Sequence, residues 1–234
     1  SLVGSEMCIR DSAQIAQGLI VSCQAPTDSP LHDPVIISAM AEAAMNYGVA
    51  GVRIDTPSHI KAVKQRIPHA PIIGIWKQVL SGYDVYITPR FEDADAIASS
   101  GADIIAIDAT LRNRPNGETV KNLIKRIHED LGKLVMADID TLEAAIQAAD
   151  AGADIVGTTL YGYTNETKDL SPPGFELLRK MVEKFDIPVI CEGGIASPNM
   201  AKKALELGAH SVVVGSDITG IDYKLKAYQS VLKV

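Results

Sequence analysis

The residues best suited to chemistry in this sequence are a lysine and a glutamate that each close an apolar run. Lys77 follows Ile72-Ile73-Gly74-Ile75-Trp76, and Glu192 follows Val189-Ile190-Cys191. A lysine desolvated in a cavity beside a cation such as Arg53 loses basicity and becomes a free amine able to take a proton. Carboxylates nearby, such as Glu192 and Asp138, push the other way. The same amine could instead form a Schiff base with a carbonyl, and residue types leave both uses open. Gly193 and Gly194 follow Glu192 directly, and Ser197-Pro198 then supplies an N-cap and a first helical residue. Such a turn leaves backbone N–H groups uncovered, which suits an anion. Gly215 and Ser216 come after a second apolar run, Ser211–Val214, so two adjacent loops offer a cradle for phosphate.

These residues need elements to hold them. Apolar runs without alternation predict buried strands of a parallel sheet at 19–23, 49–54, 72–76, 103–107, 133–137, 154–157, 189–191 and 211–214. Helical stretches are expected after each: from Asp33-Pro34 to Tyr47, from Thr56-Pro57 to Arg66, and from Phe91 to Ser100. They continue from Gly117 to Gly132, after an Asp140/Glu143 capping box, from Phe175 to Phe185, from Pro198 to Leu207, and from Asp217 to Val231. A Gly-led motif recurs at Gly48, Gly101, Gly152 and Gly208, each time before an even-numbered strand. Two βα units repeated four times describe an α/β fold of the (βα)8 TIM-barrel type, and no GxGxxG follows the first strand to favour an open dinucleotide-binding sheet. In a barrel the site lies where strands end. Those ends carry Gln24, Arg53, Lys77, Asp108, Asp138, Thr158, Thr159 and Glu192, and a long connection opens with Tyr161-Gly162-Tyr163-Thr164, the size of a lid or binding loop.

Composition narrows the class. The chain has 234 residues, enough for one barrel, with 47% hydrophobic but only 5% aromatic residues. Residues 13–234 are expected to form that single domain, and residues 1–12, which lead into no strand, a tag or non-native leader. Net charge is −7 without a basic stripe, which argues against nucleic acid. No apolar run approaches the length of a membrane span. Cys8, Cys23 and Cys191 lack CxxC spacing, as reduced thiols of a cytoplasmic protein do. His32, His59, His69, His128 and His210 show no pair with catalytic metal spacing, so no metal is expected.

With these residues in place, the chain closely resembles the N-acetylmannosamine-6-phosphate 2-epimerase family. The matching segments include Gly18-Leu-Ile-Val-Ser-Cys-Gln24, Gly51-Val-Arg-Ile54, Ile73-Gly-Ile-Trp-Lys77, Tyr86-Ile-Thr-Pro89, Ala106-Ile-Asp-Ala-Thr110, Met136-Ala-Asp138, Gly157-Thr-Thr-Leu-Tyr-Gly-Tyr-Thr164 and Ile190-Cys-Glu-Gly-Gly-Ile195. The resemblance implies a phosphate-binding barrel that epimerises an amino-sugar phosphate at carbon 2, in amino-sugar and sialic acid catabolism. It also implies no metal or organic cofactor and a homodimer. Its catalytic lysine falls on Lys77 and its acid on Glu192. Its substrate contacts fall on Gln24, Arg53 and Asp138. Thr158 and Tyr163 are expected beside them, with phosphate at Gly193, Gly194, Gly215 and Ser216. One departure stands out: where the family continues Ile-Thr-Arg, this chain has Ile218-Thr219-Gly220, with Asp217 close by and Lys224 as a candidate substitute.

Overall fold

The computed structural model describes residue 15 and residues 18–232; the expected leader, residues 1–12, lies outside them. Eight parallel strands close into a barrel in sequence order: β1 (Leu19–Cys23), β2 (Gly51–Asp55), β3 (Ile72–Ile75), β4 (Ile104–Asp108), β5 (Leu134–Asp138), β6 (Ile155–Gly157), β7 (Val189–Glu192) and β8 (Ser211–Val214). Each is followed by a helix: α1 (Pro34–Asn46), α2 (Pro57–Arg66), α3 (Phe91–Ser99), α4 (Val120–Arg126), α5 (Leu142–Asp150), α6 (Phe175–Lys184), α7 (Pro198–Glu206) and α8 (Ile221–Val231). The repeated glycines, Gly48, Gly101, Gly152 and Gly208, all have positive φ and turn the chain from a helix end into the next strand.

The strands are buried on both faces, which is why their sequences run apolar without a break. Successive side chains still alternate. Val52, Ile54, Ile107, Ala137 and Cys191 pack outward against the helices. Ile20, Ile73, Met136, Ile155, Ile190 and Val213 fill the barrel. This alternation turns Arg53, Asp138 and Glu192 inward at the carboxyl ends of β2, β5 and β7.

Several boundaries differ from the sequence reading. β2, β4, β5 and β7 each gain a terminal carboxylate, because the ladder pairs Asp55 with Ile75, Asp108 with Asp138 and Glu192 with Val213. The Asp140/Glu143 capping box does not form. Thr141 is the N-cap of α5, accepting from Ala144 N at 3.2 Å, while buried Asp140 receives the Thr164 hydroxyl at 2.7 Å. The helix expected from Gly117 starts at Val120 after a 3₁₀ turn, Pro115–Gly117, and ends in a wide π turn, Ile127–Leu131. The helix expected from Asp217 starts at Ile221, because Ile218 and Thr219 turn back to donate to Gly215 O, both at 2.9 Å.

Candidate active site

Arg53 is the centre of the barrel mouth. Its side chain is 1% exposed and sits above Met136, with Nη1 3.7 Å from Sδ. Gly157 makes the room: a β-carbon there would stand 2.5 Å from Met136 Cε. Arg53 meets Asp138 through two parallel bonds, Nη2–Oδ2 at 2.6 Å and Nη1–Oδ1 at 3.2 Å, and Nη1 also lies 3.0 Å from Glu192 Oε2. Desolvation opposes its charge, but Asp138 and Glu192 outweigh that and hold its pKa above the usual arginine value. Arg53 is thus a fixed cation facing two carboxyl groups.

Those two carboxyls differ in their supports. Asp138 takes both Arg53 bonds and the Thr159 hydroxyl at 2.5 Å. Glu192 has one Arg53 nitrogen and a longer contact to the same hydroxyl, 3.3 Å. A hydroxyl has a single hydrogen, and the shorter distance gives it to Asp138. Burial pushes the Glu192 pKa up to about 7; Arg53 and Lys77 pull it down, and Asp138 pushes it up further. Glu192 can therefore carry a proton at neutral pH, as an acid must.

Lys77 reaches the same mouth by a route the strand pattern does not show. β3 stops at Ile75, and the long connection folds back so that Lys77 bridges Ile87 while Gln78 N donates to Tyr86 O and Thr88 N to Trp76 O. Asp55 receives Lys77 N at 3.0 Å, and Lys77 Nζ donates to Gln24 Oε1 at 2.5 Å; Gln24 in turn donates to Ser22 Oγ at 2.7 Å. The amine is crowded by protein atoms although its side chain stays open to solvent at the mouth. The crowding lowers its pKa, helped by Arg53 and opposed by Asp55, Glu192 and Asp138; water in the mouth moderates the effect. Arg53, Glu192 and Asp138 all act electrostatically on Lys77.

The remaining expected residues sort clearly. Tyr163 is half exposed and its ring lies over Gly193, 3.4 Å from where a β-carbon would stand. Thr158 is fully buried: its hydroxyl donates to Glu192 O at 2.9 Å and accepts from Glu192 N at 3.1 Å. Thr158 therefore braces the backbone of Glu192, while the Thr159 hydroxyl is the one that reaches the Asp138 and Glu192 carboxyls. Gly193 and Gly194 both have positive φ, and a β-carbon on Gly194 would meet Pro172 at 2.4 Å. Among the described residues, the N–H groups of Gly193, Gly194 and Ser216 donate to no protein acceptor. Their loops are neighbours because β7 and β8 pair. The sequence reading missed Tyr86, whose phenol is pushed up to about 12 by burial and stays a neutral donor near Arg53 and Asp138. Among the described residues no group of three His, Cys, Asp or Glu is placed to hold a metal ion. A groove of about 970 Å³, lined by residues such as Leu111, Arg112, Lys121 and Gln147, includes none of these mouth groups.

The chain that builds this mouth matches a known family. The family model described as "Putative N-acetylmannosamine-6-phosphate epimerase" (NanE) matches residues 37–233. This chain belongs to that family. A NanE relative from Thermosynechococcus vestitus, named "Putative N-acetylmannosamine-6-phosphate 2-epimerase", is 60% identical over 222 residues, 95% of this chain and 96% of the relative. One of the same name from Synechococcus elongatus is 57% identical over 216 residues, 92% of this chain and 93% of the relative. The solved N-acetylmannosamine-6-phosphate 2-epimerase from Clostridium perfringens superposes with a TM-score of 0.89 at 44% identity, covering 94% of this chain and 96% of that one. A thiamine phosphate pyrophosphorylase from Pyrococcus furiosus, at 19% identity and a TM-score of 0.61, shares the fold alone.

Proposed function

We propose that this chain interconverts N-acetylmannosamine 6-phosphate and N-acetylglucosamine 6-phosphate, with Lys77 and Glu192 as the catalytic pair. The observation that carries this reading is the buried Arg53 guanidinium held by Asp138 and 3.0 Å from Glu192 at the mouth of the barrel, with the Lys77 amine bonded to Gln24 at the end of β1 and shifted down while the carboxyl is shifted up. Carbon 2 of the closed sugar ring is not acidic. Glu192 protonates the ring oxygen as the bond from carbon 1 to that oxygen breaks, and the carboxylate so formed takes the proton of the carbon 1 hydroxyl, which leaves an aldehyde at carbon 1 and restores the acid. Lys77 then takes the carbon 2 proton, and the electron pair moves onto the carbonyl oxygen as an enolate. Arg53 is the fixed cation for that oxygen. Return of a proton to the opposite face of carbon 2 completes inversion with no net redox change. Gln24, Asp138, Thr159 and Tyr163 hold the sugar, and the free N–H groups of Gly193, Gly194 and Ser216, with Gly215, hold the phosphate.

We place this activity in a cytoplasmic homodimer. The reduced compartment is supported by Cys23 and Cys191, both buried free thiols, and no helix among the described residues is long and apolar enough to cross a membrane. The dimer is supported by α8, which has no buried residue and exposes Tyr223, Leu225, Tyr228 and Val231. Turnover in heavy water tests the chemistry: deuterium should enter carbon 2 of the product, and Lys77→Ala should abolish exchange while still binding sugar phosphate. Product free of deuterium rules the scheme out.

A further inference from the structure

The turn that replaces the family's arginine has its own geometry. Thr219 Oγ1 donates to Ser22 O at 2.7 Å, and Gly215 O collects the N–H groups of Ile218 and Thr219. The turn is so tight that a β-carbon on Gly220 would stand 2.6 Å from Ser216 Cα and 2.7 Å from Ser216 O. Both are backbone atoms, so no side chain fits at position 220 without moving the loop that carries Gly215 and Ser216. Any cation at this loop therefore has to come from elsewhere in the chain. Lys224 stands one turn into α8, its N–H bonded to Gly220 O at 2.9 Å, and its Nζ is ion-paired with Asp217, the residue after Ser216.

We propose that Lys224 is the phosphate-binding cation of this chain and that Asp217 holds it at the cradle until phosphate competes for it. The inference rests on reading the β7 and β8 loops as the phosphate site. Asp217 alone would repel a phosphate dianion; paired with Lys224 its charge is cancelled. A half-exposed lysine on a flexible stem can turn from the carboxylate to an anion seated on Ser216 N–H. Specificity for phosphorylated over unphosphorylated sugar then depends on a residue of α8 rather than on the loop itself.

Kinetics with N-acetylmannosamine 6-phosphate, and competitive inhibition by inorganic phosphate, test this on the full chain. K224M should raise both KM and the phosphate inhibition constant about tenfold, the loss of one charge-assisted bond, with the effect falling on KM rather than kcat. K224R should restore both, and D217N should lower both by freeing the lysine. A folded K224M whose two constants stay within about twofold of the parent overturns the inference. If K224M does not fold, D217N decides: unchanged or raised constants overturn it. A parent protein that neither turns over the phosphosugar nor is inhibited by phosphate refutes the phosphate site itself.

Discussion

The raised carboxyl of Glu192 should cost the fold stability at neutral pH, and Glu192→Gln should recover it. In an unfolded chain this group titrates near its ordinary value of 4.5; in the barrel it titrates at about 7. Between those values the folded protein keeps a proton that the unfolded chain has released. Stability from this group is therefore complete below about pH 4.5 and is lost as pH rises to about 7, after which both states are ionised. The difference corresponds to about 3 kcal/mol, and the side chain is only 12% exposed, so solvent screens little of it. The substituted amide can still accept from Arg53 Nη1 through its oxygen, and Asp138 keeps its two Arg53 bonds, so the packing of the mouth is preserved. Urea unfolding at pH 5 and pH 8 reads the effect, since titrating groups remote from the mouth cancel between parent and variant and Lys77, which feels Glu192, is the neighbour whose titration changes with it. The parent should lose about 2 to 3 kcal/mol more than E192Q across that interval, and epimerase activity should fall with the acid removed. Parallel stability curves, within about 1 kcal/mol at both pH values, would refute the assignment of Glu192 as a buried acid.

Thr159→Val removes the hydroxyl shared by Asp138 and Glu192 and should lower kcat/KM tenfold or more, about the worth of one bond to a charged group, with Thr159→Ser restoring most of it; steady-state kinetics decide. Cys23 and Cys191, buried and pushed up to about 12 and about 11, should resist iodoacetamide at pH 8 in the native state and react on unfolding, which mass spectrometry reads directly.

Much of this site was legible in the sequence because a closed parallel barrel puts every strand end on one rim. Arg53, Asp138 and Glu192 could be placed there from apolar runs alone, and the structure brings them within hydrogen-bonding distance of one guanidinium. The sequence reading favoured Thr158, although alternation carries the opposite signal: Ile155 and Gly157 face the barrel, so position 159 faces it and position 158 turns away. Tyr86 was not legible. It enters through the antiparallel return of the β3 connection onto Lys77, and that pairing depends on a long-range register for which no local pattern exists. The Thr141 cap was missed for a nearer reason, since Asp140 is as good a capping residue by type but is held by Thr164 from the next long loop.

Acid and base in this mouth owe their protonation states to one cause. Crowding by protein disfavours charge wherever it is not paired, and Arg53 keeps its charge through two bonds to Asp138. Lys77 and Glu192 are left with weaker compensation, the amine with a neutral Gln24 partner and the carboxyl with one shared nitrogen, so the amine loses a proton more easily and the carboxyl keeps one longer. A neutral amine, a neutral carboxyl and a closed ion pair sum to no charge; that is the state the proposed reaction requires, and both shifts favour it. Any change that admits water beneath Arg53, such as truncating Met136, should therefore move the two catalytic pKa values together toward their ordinary values, widening the gap between them. Loss of activity would then appear on both limbs of the pH profile rather than on one.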